Sequence, residues 1–198
     1  MKHSALTNIS MTLLSLFSTS VMAEGMPLSN QDKFFNNIKM LCGKAFQGEV
    51  KTDNKPSKAF ANKKFVMHVR RCNDTRLEIP FHVGENASRT WVITKTDTNL
   101  TLQHDHRHED GTSDPLTMYG GTTRSKGWPQ VQSFPADVYS KNLFVDSGIP
   151  DSIGNTWQMY IYPKTFTYRM IREGREFSVE FDLTKSITPP AAPWGFQD

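Results

Sequence analysis

Along most of this chain apolar and polar residues alternate one for one, the period of a strand with one buried face. Phe46, Gly48 and Val50 alternate with Gln47 and Glu49; Phe65, Met67 and Val69 with His68 and Arg70; Leu77, Ile79, Phe81 and Val83 with Glu78, Pro80 and His82. Trp91 and Ile93 follow, then Leu100 and Leu102, whose parity continues into His104, His106 and His108, and Leu116 and Met118 begin another strand after the Asp110-Gly111 turn. The cleanest alternation comes last, in Trp157-Met159-Ile161, Phe166-Tyr168-Met170 and Phe177-Val179-Phe181-Leu183. Pro163-Lys164 and Glu173-Gly174 join these three through links of hairpin length.

Residues 29–41 break the rule. Phe34, Phe35, Ile38 and Leu41 recur at helical spacing, Ser29 is a candidate N-cap with Asp32 three residues on, and Gly43 stops the helix. Residues 121–154 are the other interruption, where Pro135 is expected to open a short helix through Phe144 between two loops, a lid or a surface excursion. The Pro-rich tail 189–198 reads as extended, packing through Trp194 and Phe196. Nine strands with one apolar face and too few helices to cover it predict an all-β fold, an antiparallel up-and-down β-barrel of about 8–10 strands with an N-terminal helix. A two-sheet sandwich is the competitor, and it would normally need longer crossovers.

Ahead of this domain, Lys2 and His3 precede an uncharged run through Ile9, Leu13, Leu14, Leu16, Phe17 and Val21 that ends in Val21-Met22-Ala23. Residues 1–23 therefore read as a secretory signal peptide cleaved before Glu24, leaving a single barrel domain over 24–188. The run is too short and too rich in Ser and Thr for a spanning helix, and no later segment has that length, so no integral membrane segment is expected after cleavage. The implied location is outside the cytoplasm, periplasmic or secreted. There the only two cysteines, Cys42 and Cys72, are expected to form a disulfide closing a loop of about 30 residues, worth roughly 3–4 kcal/mol. A free-thiol or metal-ligand role is the alternative. Asn73, Asn86 and Asn99 head sequons that would accept glycans only in a eukaryotic secretory route.

Composition narrows the class further. The 198 residues are 37% hydrophobic and 22% charged with a net charge of +3, which excludes a disordered chain or a fibrous one. Lys and Arg are scattered among acids, so no nucleic-acid partner is expected. Sequence templates for nucleotide binding, serine nucleophiles and zinc proteases are absent.

The helix before the first strand, the glycine-aromatic pair Gly43 and Phe46 where lipocalins carry Gly-x-Trp, and the exported barrel pattern resemble the lipocalin-like (calycin) superfamily. That resemblance implies a binding cavity and identifies no ligand. The words Leu41-Cys42-Gly43, Thr90-Trp91-Val92 and His104-Asp105-His106-Arg107-His108-Glu109-Asp110-Gly111 also resemble a family of exported bacterial proteins of unknown function.

The His run carries the candidate chemistry. On a straight strand His104, His106 and His108 point inward at one barrel end, with Asp105, Arg107 and Glu109 outward. Same-face neighbours lie about 6.5–7 Å apart, so at most two imidazoles reach one ion, for example a divalent metal such as zinc, with a third ligand from Asp114, Glu85 or His82. Such a site could activate water as a metal-dependent hydrolase or lyase. The plainer alternative is a polar barrel mouth of hydrogen-bonded rings. Trp91, Trp157, Tyr168 and Phe181 share the inward parity and are either core or a stacking surface. The leading expectation is a binding protein for a small, largely apolar ligand, with Trp91, His104, His106, His108, Trp157 and Tyr168 around it.

Overall fold

A computed structural model describes residue 1 and residues 27–197. The expected leader, Met1 apart, lies outside the described residues. Eleven strands form one antiparallel sheet: β1 (Ala45–Asp53), β2 (Phe65–His68), β3 (Arg71–Cys72), β4 (Arg76–Val83), β5 (Asn86–Lys95), β6 (Leu100–His106), β7 (Tyr119–Thr122), β8 (Val131–Pro135), β9 (Thr156–Ile161), β10 (Thr165–Arg172) and β11 (Arg175–Ile187). The short β3 pairs only with β4, and the other ten run in the order β7-β6-β5-β4-β2-β1-β11-β10-β9-β8. Neighbours in sequence are neighbours in space, and the first and last strands pair with each other. This is the up-and-down barrel, nearly closed.

The open seam lies between β7 and β8, where the only ladder contact among the described residues is an isolated bridge between Gly121 and Ala136, just past β8. A Cβ on Gly120 would sit 1.8 Å from the Leu102 carbonyl oxygen, and one on Gly121 would sit 2.0 Å from that of Pro135. Lacking a side chain, Gly121 approaches β8 across the seam, and Gly120 lies close against β6, the ladder neighbour of β7. Ser140, in helix α2 (Val138–Asp146), completes the join: its Oγ accepts from the Gly120 N–H at 2.6 Å and its hydroxyl donates to the Gly120 carbonyl at 2.9 Å.

Helix α1 (Asn30–Lys39) begins at the predicted cap, with Ser29 and Asp32 forming a reciprocal capping box. Its apolar stripe, Phe34, Phe35 and Ile38, is wholly buried in the barrel core. Asn30, Gln31 and Asn37 hydrogen-bond to Gly127, Thr123 and Pro129 in the loop joining β7 to β8. Asp32 pairs with Lys95 at 3.0 Å, at the end of β5. α1 therefore closes one end of the barrel. The Cys42–Cys72 disulfide ties the turn after α1 to β3, with Cα atoms 6.2 Å apart. No helix among the described residues is long and apolar enough to cross a membrane.

Several sequence expectations need correction. Val50 is 36% exposed, because irregular register on either side of it, between Phe46 and Gly48 and between Val50 and Thr52, breaks the alternation of β1. Pro135 ends a strand instead of opening a helix, and α2 starts at the Asp137 cap. β8 itself was hidden because its buried positions are Gln132 and Phe134, and a polar inward residue masks the period. Asp105 is buried, not solvated: Arg107 donates to it at 3.1 Å and Thr117 lies over it. The tail packs as expected. Trp194 N–H donates to the Ala87 carbonyl, and the Phe196 ring lies between the guanidinium groups of Arg71, at 5.2 Å, and Arg107, at 4.9 Å.

Candidate functional site

At the end opposite α1 the interior opens into a pocket of about 190 Å³. One wall comes from adjacent positions on β5 and β6, where register places Arg89 opposite His106 and Trp91 opposite His104. β9 and β10 supply Trp157, Tyr168 and Met170, and Phe144 of α2, Ile149 and Ser152 complete the lining. Of the interruption at residues 121–154, read as a lid or a surface excursion, only the second half contributes to the pocket. The first half is barrel wall.

An aromatic stack forms the floor. Phe65, Phe81, Trp91 and Tyr168 follow one another with ring centroids 5.8, 4.7 and 4.5 Å apart and planes within 18° of parallel. Trp91 is almost completely buried beneath its neighbours. At the end of the stack the Tyr168 hydroxyl meets Nε2 of His104 at 2.9 Å, and Nδ1 of His104 meets the Tyr119 carbonyl at 3.0 Å. A carbonyl only accepts, so Nδ1 carries a hydrogen. Burial holds the His104 pKa down at about 3, with the neighbouring His106 adding to the shift, so the ring is neutral near pH 7 and Nε2 is left as the acceptor from Tyr168.

His106 is held at about 4, first by burial and then by the positive charge of Arg89. Its Nε2 lies 3.2 Å from the Tyr119 hydroxyl, and its backbone N–H donates to Thr117. Burial pushes the Tyr119 phenol up to about 12 and that of Tyr168 well above its ordinary value. All four groups are uncharged near neutral pH. Arg89 and Arg175 carry the pocket's permanent charges. Arg175 is neutralised by Asp53 at 2.6 Å, both side chains being about one-tenth exposed.

Trp91, His104, His106, Trp157 and Tyr168 all line this pocket, as their parity predicted, and Phe181 lies in the core below. His108 does not line it. β6 ends at His106, and His108 sits exposed in a turn closed by hydrogen bonds to Thr112 and Gly111. The metal arrangement also changes. Both His104 nitrogens are engaged within the protein, so the His104–His106 pair does not offer two free rings to one ion. His82 is buried on β4, Glu85 is exposed at the β4–β5 turn, and Asp114 caps the Leu116 N–H at 2.7 Å. Among the described residues no three His, Cys, Asp or Glu side chains are placed to hold a metal ion.

Arg89 and Tyr119 were missed. Arg89 was legible, since it shares the inward parity of Trp91 and Ile93. Tyr119 was not, because the left-handed backbone at Met118 (φ 56°) breaks the alternation and brings Tyr119 instead of Met118 to the pocket. In comparisons with known proteins, no family model matches the chain and no curated protein matches it.

Proposed function

We propose that this chain is an exported binding protein, periplasmic or secreted, whose barrel takes one small, largely apolar ligand in the pocket at the His104–His106 end. The observation that carries the reading is the convergence of Trp91, Trp157 and Tyr168 with two uncharged imidazoles around an opening into the barrel. Export is supported by the leader pattern of residues 1–23 and by the Cys42–Cys72 bridge.

Pocket volume limits the ligand. At about 190 Å³ it is below the ~300 Å³ typical of drug-sized sites and above the ~150 Å³ that accommodates benzene. A ligand of about ten non-hydrogen atoms fits, and a fatty-acid-sized one does not. The test is a fragment screen by NMR on the folded protein, with native mass spectrometry of freshly purified material. Ring-sized fragments are expected to shift the indole signals of Trp91 and Trp157. The reading is overturned if such fragments bind only elsewhere or not at all and no small molecule accompanies the purified protein.

A further inference from the structure

Among the described residues, Arg89 is the one pocket charge that no carboxylate neutralises. Its Nη1 donates to neutral oxygens, Asn86 Oδ1 at 2.7 Å and Ser88 Oγ at 3.2 Å. Nε and Nη2 have no hydrogen-bond acceptor among the described residues, and no carboxylate there pairs with the group. The other arginine lining the pocket, Arg175, has Asp53, and the half-buried Arg107 just outside has Asp105. A guanidinium drawn into a barrel without a counter-ion is costly unless something supplies the anion. Part of the charge is met by the Phe60 ring, 5.9 Å from the guanidinium carbon, which leaves the in-plane donors for another partner.

We propose that the ligand is a small organic acid whose carboxylate pairs with the free edge of Arg89 and whose apolar body rests against Trp91, Phe81 and Tyr168. The inference rests on the binding reading above and specifies its ligand class. Fork geometry suits a two-oxygen anion. The aromatic walls favour a ring or short chain over a bare inorganic ion, and the volume admits a benzoate-sized molecule. Of the nearby groups, His106 and Tyr119 are uncharged near neutral pH and Arg175 is already paired; the two carboxylates whose charge reaches His106, Asp105 and Asp114, lie outside the pocket lining, where Asp105 is paired with Arg107 and Asp114 accepts from the Leu116 N–H. Among the described residues no negative side chain lines the pocket to repel an acid.

The test measures binding of benzoate, benzyl alcohol and inorganic phosphate to the whole protein at pH 7 by Trp fluorescence and NMR, with Arg89→Gln and Arg89→Lys in parallel. Benzoate is expected to bind at least tenfold more tightly than benzyl alcohol, Arg89→Gln to abolish that preference, and Arg89→Lys to retain part of it. Equal binding of benzoate and benzyl alcohol overturns the acid assignment and leaves the pocket reading standing. Phosphate binding as tight as benzoate overturns the organic body. Failure of both aromatic probes overturns the pocket reading itself. If Arg89→Gln does not fold, the benzoate to benzyl alcohol ratio in the parent protein and in Arg89→Lys still decides.

Discussion

Tyr168 on β10 donates its hydroxyl hydrogen to Nε2 of His104 on β6, at 2.9 Å, across the interior of the barrel. Trp91 stacks on the same tyrosine at 4.5 Å, so one residue holds both the hydrogen-bonded and the stacked wall of the pocket. Replacing Tyr168 by Phe keeps the ring and leaves a buried imidazole nitrogen without its donor. The expected cost is about 1–3 kcal/mol in denaturant unfolding. His104 in the parent protein should show a single neutral tautomer with hydrogen on Nδ1, read from its ring nitrogen shifts.

Acid should weaken this fold before carboxylates become involved. The folded protein holds His104 at about 3 and His106 at about 4, whereas the unfolded chain takes up protons near the ordinary histidine value of 6.5. Below about pH 6.5 the unfolded state therefore binds more protons, and stability falls as pH is lowered towards 4, by up to about 1.4 kcal/mol per pH unit for each histidine. Unfolding free energies between pH 7 and 4.5 measure the slope. His106→Gln should flatten it, and a slope unchanged in that variant would count against the account.

The seam makes a sharper structural prediction. Gly121→Ala places a methyl group against the Pro135 carbonyl oxygen across the seam and should prevent closure, while Gly120→Ala places one against the Leu102 carbonyl oxygen of β6 and should disrupt the β6–β7 ladder, each seen as lost expression or a Tm drop of more than about 10 °C. Gly154→Ala is the control. Its new Cβ would lie 3.7 Å from Arg172 Cβ, an ordinary contact, and the change should stay within about 0.5 kcal/mol. Ser140→Ala removes two hydrogen bonds from the same seam and should cost about 1–3 kcal/mol.

The disulfide is expected to matter through the unfolded chain. Reduction, or Cys42→Ser with Cys72→Ser, frees a loop with a sequence separation of 30 and should lower unfolding free energy by about 3–4 kcal/mol. The folded-state tryptophan spectrum should change little, because neither cysteine lies near the pocket.

Alternation revealed the barrel because each strand needs only one apolar face, and a sheet so patterned has few ways to hide it. The same rule placed Trp91, His104, His106, Trp157 and Tyr168 together before their distances were known. It failed where backbone geometry resets parity: the irregular register around Val50, the left-handed Met118, and the end of β6 at His106, which leaves His108 outside. It also failed where an inward position is polar. Gln132 concealed β8, and Arg89, though on the correct face, has a side chain that ordinarily marks solvent. A charged residue with core parity was the most informative position in the pocket wall.

The pairing of β1 with β11 carries a consequence for how the protein is made. A chain delivered amino end first presents β1 with a vacant edge that no nearby segment can fill, because its partner comes last. Contacts of such long range make folding slow and leave the exposed strand open to pairing with other chains. The α1 helix and the Cys42–Cys72 bridge both lie in the first part of the chain to emerge. The bridge can close before the rest of the barrel exists, whereas α1 meets its partners Thr123, Gly127 and Pro129 only when the second half of the chain has emerged.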